Sequence, residues 1–239
     1  MKTRLIMGLL IVIGFQLNAQ NTEVATVRLS VQEKGIILIA SYTAQGKLVK
    51  LGDALNEGLN NGLTINEIKE VLVHLYAYAG FPRSIRGLQT FLDVLDDRKS
   101  KGITDDRGVD ASPISETQDK YDRGKKILEN LVGRSLDGPK PAYQEFSPAM
   151  DRFLKEHLFA DIFERDVLSH KQRELVTISV IASLGTLEPM LKSHLNLSLN
   201  VGWQPEQLRE FTKVLDGTTT TENAKAAKLV LQEVLDNRK

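Results

Sequence analysis

Glu70, His74 and Tyr78 stand four residues apart, the spacing that lines side chains along one face of a helix. A carboxylate beside an imidazole orients it or raises its pKa, which gives a competent acid near neutral pH. Arg83 follows the break Gly80-Phe81-Pro82 at the start of a further helix, where its fork of donors suits a substrate carboxylate. A second acid and imidazole, Glu174 and His194, lie far along the chain. These types fit proton transfer to and from a small carboxylated molecule, with a donor group to hold its carboxylate. In that reading His74 and His194 are acid and base, Glu70 and Glu174 orient the imidazoles, and Arg83 and Tyr78 hold a small carboxylate. The same residues also fit structural roles: Glu70 pairing with a lysine or capping a helix, His74 filling a seam, Tyr78 packing with its hydroxyl on a carbonyl. Glu174 suits either a buried carboxylate near His194 or an ordinary ion pair at a helix start.

Other chemistries find no support. His157 and His170 lack ligand spacing and the four histidines form no His-x-x-x-His pair, so no metal is expected. No Gly-x-Gly-x-x-Gly, phosphate-loop or Gly-x-Ser-x-Gly pattern is present, and no cofactor is implied. Zero cysteines exclude thiol chemistry and disulfides. The 31 basic and 31 acidic residues give no electrostatic footprint for nucleic acid.

The elements that must position these residues are helices, and they come twice. Residues 35–96 slide onto 175–236 at a constant offset of 140 without a gap, most densely where Leu51, Leu55, Asn56, Leu59, Asn60, Gly62 and Glu70 return as Leu191, Leu195, Asn196, Leu199, Asn200, Gly202 and Glu210. Leu48, Leu51, Leu55 and Leu59 predict a helix that Gly62 stops. Thr64 and Glu67 form a capping box for a helix running through Glu70, His74 and Tyr78 to the break, and Arg83 to Leu95 is a third helix. The second copy repeats this with Leu187, Leu191, Leu195 and Leu199, with Pro205 at a first helical position and a last helix from Glu222 to Asp236. Between the copies, only Tyr121 to Leu131 reads as helical, and Phe146 to Arg165 leads into the second copy as a helix. A short β-branched stretch near Val24 to Val31 is the one hint of strand.

Two segments carry a family resemblance. Arg173-Glu174-Leu175-Val176-Thr177, Leu184-Gly185, His194-Leu195, Gly202 and Glu210 form one; Gly62-Leu63-Thr64, Glu67-Ile68, Glu70-Val71-Leu72 and Tyr78-Ala79-Gly80-Phe81-Pro82 form the other. With Phe153 to Arg165, they resemble the carboxymuconolactone decarboxylase family, within the superfamily of the thiol peroxidases called alkyl hydroperoxidase D. The resemblance implies an all-α fold of tandem alkyl hydroperoxidase D-like repeats, a cofactor-free carboxy-lyase, and a homo-oligomer such as a trimeric ring. Where the peroxidase branch has a Cys-x-x-Cys pair before its histidine, this chain has Leu187 and Met190. Where the decarboxylase branch combines the histidine with a Tyr-x-Gly-x-Pro break in one repeat, here the second copy has His194 but reads Thr218-Thr219-Thr220-Thr221 at the break, and the first has the break but Ala54 opposite His194. A complete site therefore takes half from each copy, within the chain or between subunits. A non-catalytic oligomeric binding or scaffold protein is the alternative; peroxidase activity by superfamily analogy is disfavoured without a cysteine.

Met1 to Gln20 has the layout of a secretory signal: Lys2 and Arg4, an apolar run from Leu5 to Phe15, and a small residue at Ala19. The run is shorter than the roughly 20 residues that cross a bilayer, and no cysteine follows it for a lipid anchor. The expected division is residues 1–19 as signal peptide, 20–96 as first repeat, 97–145 as connector and 146–239 as second repeat. The product is secreted or periplasmic with no stable membrane anchor. That location argues against the lactone decarboxylation typical of cytoplasmic family members and leaves a small carboxylated lactone or keto acid as the substrate class.

Overall fold

A computed structural model describes residues 28–114 and 117–238, so the expected signal sequence and the first half of the Val24 to Val31 stretch lie outside the described residues. The described residues form helices and no strand. In order these are α1 (Val31–Gln45), α2 (Leu48–Asn60), α3 (Ile65–His74), α4 (Tyr76–Ser100), α5 (Lys120–Val132), α6 (Ala142–Phe146), α7 (Pro148–Arg152), a π-helix (Phe153–Phe163), α8 (His170–Leu184), α9 (Glu188–Asn200), α10 (Pro205–Leu215) and α11 (Thr221–Asp236). No described helix is long and apolar enough to cross a membrane.

Local sequence sets most boundaries. Ser30 caps α1 in a box with Glu33, Thr64 caps α3 in a box with Glu67, and Ser169 caps α8 in a box with Gln172. The α1 and α8 helices end at Gly46 and Gly185, with φ of 69° and 74° that a side-chain-bearing residue rarely adopts. Gly80, at φ 80° and ψ 159°, breaks α4 near its start. At the matching place Thr220 has φ −74° and caps α11 through its side chain, so a threonine cap stands in for the glycine break.

Helix limits recur with the sequence. Residues 48–60 return as 188–200, and α3 and α10 start 140 residues apart. The first helices do not follow this offset: their caps, Ser30 with Ser169 and Gly46 with Gly185, are 139 apart. The turn before α9 is therefore one residue longer, and its Thr186 is the one non-glycine at positive φ among the described residues. The gap-free alignment of residues 35–96 needs this correction over the first helix, because a helix cap tolerates no slippage whereas the turn beyond it does.

Three other expectations change. The α3 helix stops at His74, so Tyr78 belongs to the turn that opens α4. The helix after the break continues past Leu95 to Ser100. The stretch from Phe146 to Arg165 divides into a short α-helical turn and the π-helix, whose wider turn joins residues five apart. The connector is tied down at α3, whose first free amides, Ile65 and Asn66, donate to the carbonyls of Asp106 and Arg107 at 2.9 and 3.0 Å.

One apolar core takes residues from both halves: α1 packs along α8, while α3 meets α8 and α10 meets α1. A smaller cluster of Leu131, Leu158, Phe159, Ile162, Phe163 and Leu197 joins α5 and the π-helix to α9. Both clusters touch Tyr78, which places that residue at the seam between them.

Candidate active site

The seam is polar where the two halves meet. Glu70 on α3 is buried, and Arg165 grips both its oxygens, Nε on Oε1 at 2.8 Å and Nη2 on Oε2 at 2.9 Å. Arg173 on α8, with no exposed surface, adds a third bond from Nη2 to Oε1 at 2.8 Å and donates to the Arg165 carbonyl at 2.6 Å. Burial alone would raise the Glu70 pKa, but the bonds from Arg165 and then Arg173 outweigh it and hold the carboxylate below its ordinary value.

This arrangement corrects the expected Glu70–His74 pair. The carboxylate is occupied by two arginines, and Arg173 reaches past it to His74 Nδ1 with Nη1 at 3.2 Å. His74 is fully buried, with Phe163 set edge-on to its ring at 4.9 Å and Nε2 2.9 Å from Thr177 Oγ1. Burial first, then the charge of Arg173, lowers its pKa well below the ordinary histidine value. Far from being raised into an acid, His74 is held neutral.

The other expected pair forms. Glu174, one residue after Arg173 on α8, is fully buried and accepts from His194 Nδ1 on α9 at 2.8 Å. The His194 side chain keeps 15% of its surface exposed. A carboxylate on Nδ1 fixes the proton there and leaves Nε2 to exchange a proton with a bound molecule. The second carboxylate oxygen, Oε1, is buried without a partner, as is Arg173 Nε.

Tyr78 links the two histidines. Its ring centre is 5.6 Å from that of His74 and 5.8 Å from that of His194, the latter nearly perpendicular. The break from the first half and the histidine from the second thus meet within one chain. The Tyr78 hydroxyl is buried beside Thr177 and Glu174 in no well-formed hydrogen bond. Burial, then the Glu174 charge, raises its pKa, so it stays a neutral hydroxyl.

Arg83 does not join the group. It is exposed on α4, and its guanidinium lies over Gly46 at the end of α1, where a side chain at Gly46 would collide with it. Asn223, 140 residues on, lies over Gly185 in the same way. The residues that sequence reasoning passed over are Arg173, Arg165 and Thr177. The step of four from Arg173 to Thr177 signalled a shared helical face, whereas nothing local marked Arg165, which the end of the π-helix delivers. Leu187 caps α9 and Met190 is exposed in its first turn, so the positions of the superfamily's thiols carry none. Among the described residues no group of three histidine, aspartate or glutamate side chains is placed to hold a metal.

The reciprocal position in the fold carries other chemistry. There Lys34 on α1 bonds Glu210 on α10 at 2.7 Å, as Arg173 on α8 bonds Glu70 on α3. Gly35, Ala54 and Val214 occupy the places of Glu174, His194 and His74. The model of the carboxymuconolactone decarboxylase family matches residues 148–233, a segment that includes Arg173, Glu174, Thr177 and His194 and excludes Glu70, His74 and Tyr78. No curated protein matches the chain.

Proposed function

We propose that this chain is a duplicated, exported protein of the carboxymuconolactone decarboxylase type that acts without a cofactor on a small carboxylated lactone or keto acid. The family match over residues 148–233 supports the class. The observation that carries the reaction is the Glu174–His194 pair: a carboxylate sealed from water holds one imidazole nitrogen and leaves the other at a seam of unpartnered polar atoms. Decarboxylation uses His194 Nε2 to protonate the carbon that loses carbon dioxide. His74 and Glu70 serve this reading as the buried frame of the seam, Tyr78 as the group facing the substrate. Arg83 lies elsewhere, and Arg173 is the cation beside the pair.

The signal sequence supports a secreted or periplasmic location. A ring-shaped homo-oligomer agrees with the exposed apolar face of α4, where Phe81, Ile85 and Leu92 stand in solvent. That same face favours the second reading, a non-catalytic oligomeric scaffold with a small-molecule pocket. Alkyl hydroperoxidase activity has only the superfamily analogy behind it in a chain without cysteine.

Carbon dioxide release from a panel of β-keto acids and carboxylated lactones, oxaloacetate among them, tests the proposal. Turnover is expected in the native chain, with a loss of about 10²- to 10⁴-fold in His194→Ala, the range for removing a general acid or base. Equal rates in both proteins would remove the dyad from the chemistry and leave the scaffold reading.

A further inference from the structure

Around His74 every proton can be assigned. An arginine N–H only donates, so the contact from Arg173 Nη1 requires a lone pair on His74 Nδ1. The neutral ring then carries its hydrogen on Nε2 and donates it to Thr177 Oγ1. Thr177 gives its own hydrogen to the Arg173 carbonyl at 3.0 Å. The chain of donors leaves Arg173 through its side chain and returns to its backbone.

This closed order decides what Tyr78 can do. The polar atoms beside its buried hydroxyl are Thr177 Oγ1, whose hydrogen is committed, and the carboxylate of Glu174, which has none. Neither can donate, and burial together with the Glu174 charge outweighs the Arg173 charge and the Thr177 contact that would favour a phenolate. Tyr78 is held as a donor and cannot act as a base.

We propose that Arg173, His74 and Thr177 form a positioning ring that keeps Tyr78 as a hydrogen-bond donor to negative charge developing on a substrate oxygen, and that His194 alone exchanges a proton with the substrate. The inference rests on the proposed function of the Glu174–His194 pair. In the reaction, the carbon–carbon bond to the carboxylate breaks and carbon dioxide leaves. The electron pair moves onto the carbonyl oxygen as an enolate that accepts from the Tyr78 hydroxyl. The Nε2 proton of the His194 imidazolium passes to carbon, and solvent reprotonates the partly exposed ring. Tyr78 keeps its own proton throughout.

Two measurements on the full chain test this. Nitrogen-resolved NMR of the histidines reads the ring directly: His74 is expected as a single neutral form with hydrogen on Nε2 at pH 6.5, its ordinary pKa, where a free imidazole is half protonated. That signature is expected to persist in both Thr177→Ser and Thr177→Val, because the donation from Arg173 sets the tautomer. Oxalate, a mimic of an enolate bearing a carboxylate, is the binding probe. Its affinity is expected to fall about tenfold in Tyr78→Phe and in Thr177→Val, and to be restored in Thr177→Ser. A His74 ring protonated on both nitrogens near pH 6, oxalate binding unchanged in Tyr78→Phe, or no oxalate binding at all would overturn the inference. Oxalate binding that depends on Tyr78, without turnover of any acid in the panel, would keep the donor and remove the decarboxylase reading.

Discussion

The two halves of the molecule solve the same packing problem with opposite interiors. In each, a cation on the first helix of one half reaches a glutamate on the third helix of the other, Arg173 to Glu70 and Lys34 to Glu210. Around the first pair the fold buries Glu174, Thr177 and His74; at the reciprocal positions it has Gly35, Leu38 and Val214. The scaffold thus does not require the polar seam. Charged groups with no exposed surface are costly to desolvate, and the helices at the corresponding places, 139 or 140 residues away, do without most of them. That contrast supports chemistry, rather than stability, as the reason for the seam.

The largest effect that can break this comparison is the loss of one carboxylate. Glu70→Gln leaves the fully buried Arg173 without its carboxylate, along with the half-buried Arg165, and is expected to destabilise the fold by about 3–5 kcal/mol. Glu210→Gln, at a pair whose side chains keep 39% and 22% of their surface, is expected to cost at most about 1 kcal/mol. Urea unfolding of the two variants measures both. Equal losses would mean that the two seams are energetically the same and that burial does not distinguish them.

Acid sharpens the comparison next. His74 has a folded pKa well below its ordinary 6.5, so the unfolded chain takes up the proton first and stability falls as pH drops below about 6.5. One such group contributes at most about 1.4 kcal/mol per pH unit. His170, lowered by burial and then by Arg173, adds to the same window. The lowered Glu70 acts in the same direction from a lower start: its contribution is complete above the ordinary 4.5 and is lost as pH falls through the folded value. In His74→Gln the slope between pH 6.5 and 4.5 is expected to flatten, as read from unfolding midpoints at each pH. An unchanged slope would place the acid sensitivity outside the seam.

How much of this was legible in the sequence follows from distance along the chain. The leucine spacing of α2 and α9 and the capping box of Thr64 and Glu67 are contacts within a few residues, and the helices formed where those signals lie. The Glu174–His194 pair was within reach because both residues belong to one motif. The Glu70–His74 pair failed because Arg165 and Arg173, 95 and 103 residues further on, compete for the carboxylate, and no local pattern records a partner from the other half. Arg83 failed for a related reason: its position after the break fixed its place on α4 but not which neighbour its long side chain would cover. The π-helix hid in plain view, since Leu154 with Phe159 and Leu158 with Phe163 are five apart, yet a pattern of mixed fours and fives is absorbed by a 3.6-residue template.

The smallest expected effect on stability tests the outer surface. On α4, Phe81, Ile85, Leu88 and Leu92 form a stripe that is exposed except for the half-buried Leu88; on α11 the positions 140 residues on are Thr221, Lys225, Lys228 and Gln232, all exposed. The same helix in the same architecture is therefore stable with a polar face, and the apolar stripe serves something other than folding. The double variant Ile85→Lys, Leu92→Gln imports the identities from α11 and is expected to change unfolding free energy by no more than about 0.5 kcal/mol. Sedimentation velocity should show the native chain self-associating and the variant dissociated. A native chain that stays monomeric would detach this stripe from self-association, whereas a variant that unfolds would show that α4, unlike α11, depends on its apolar face.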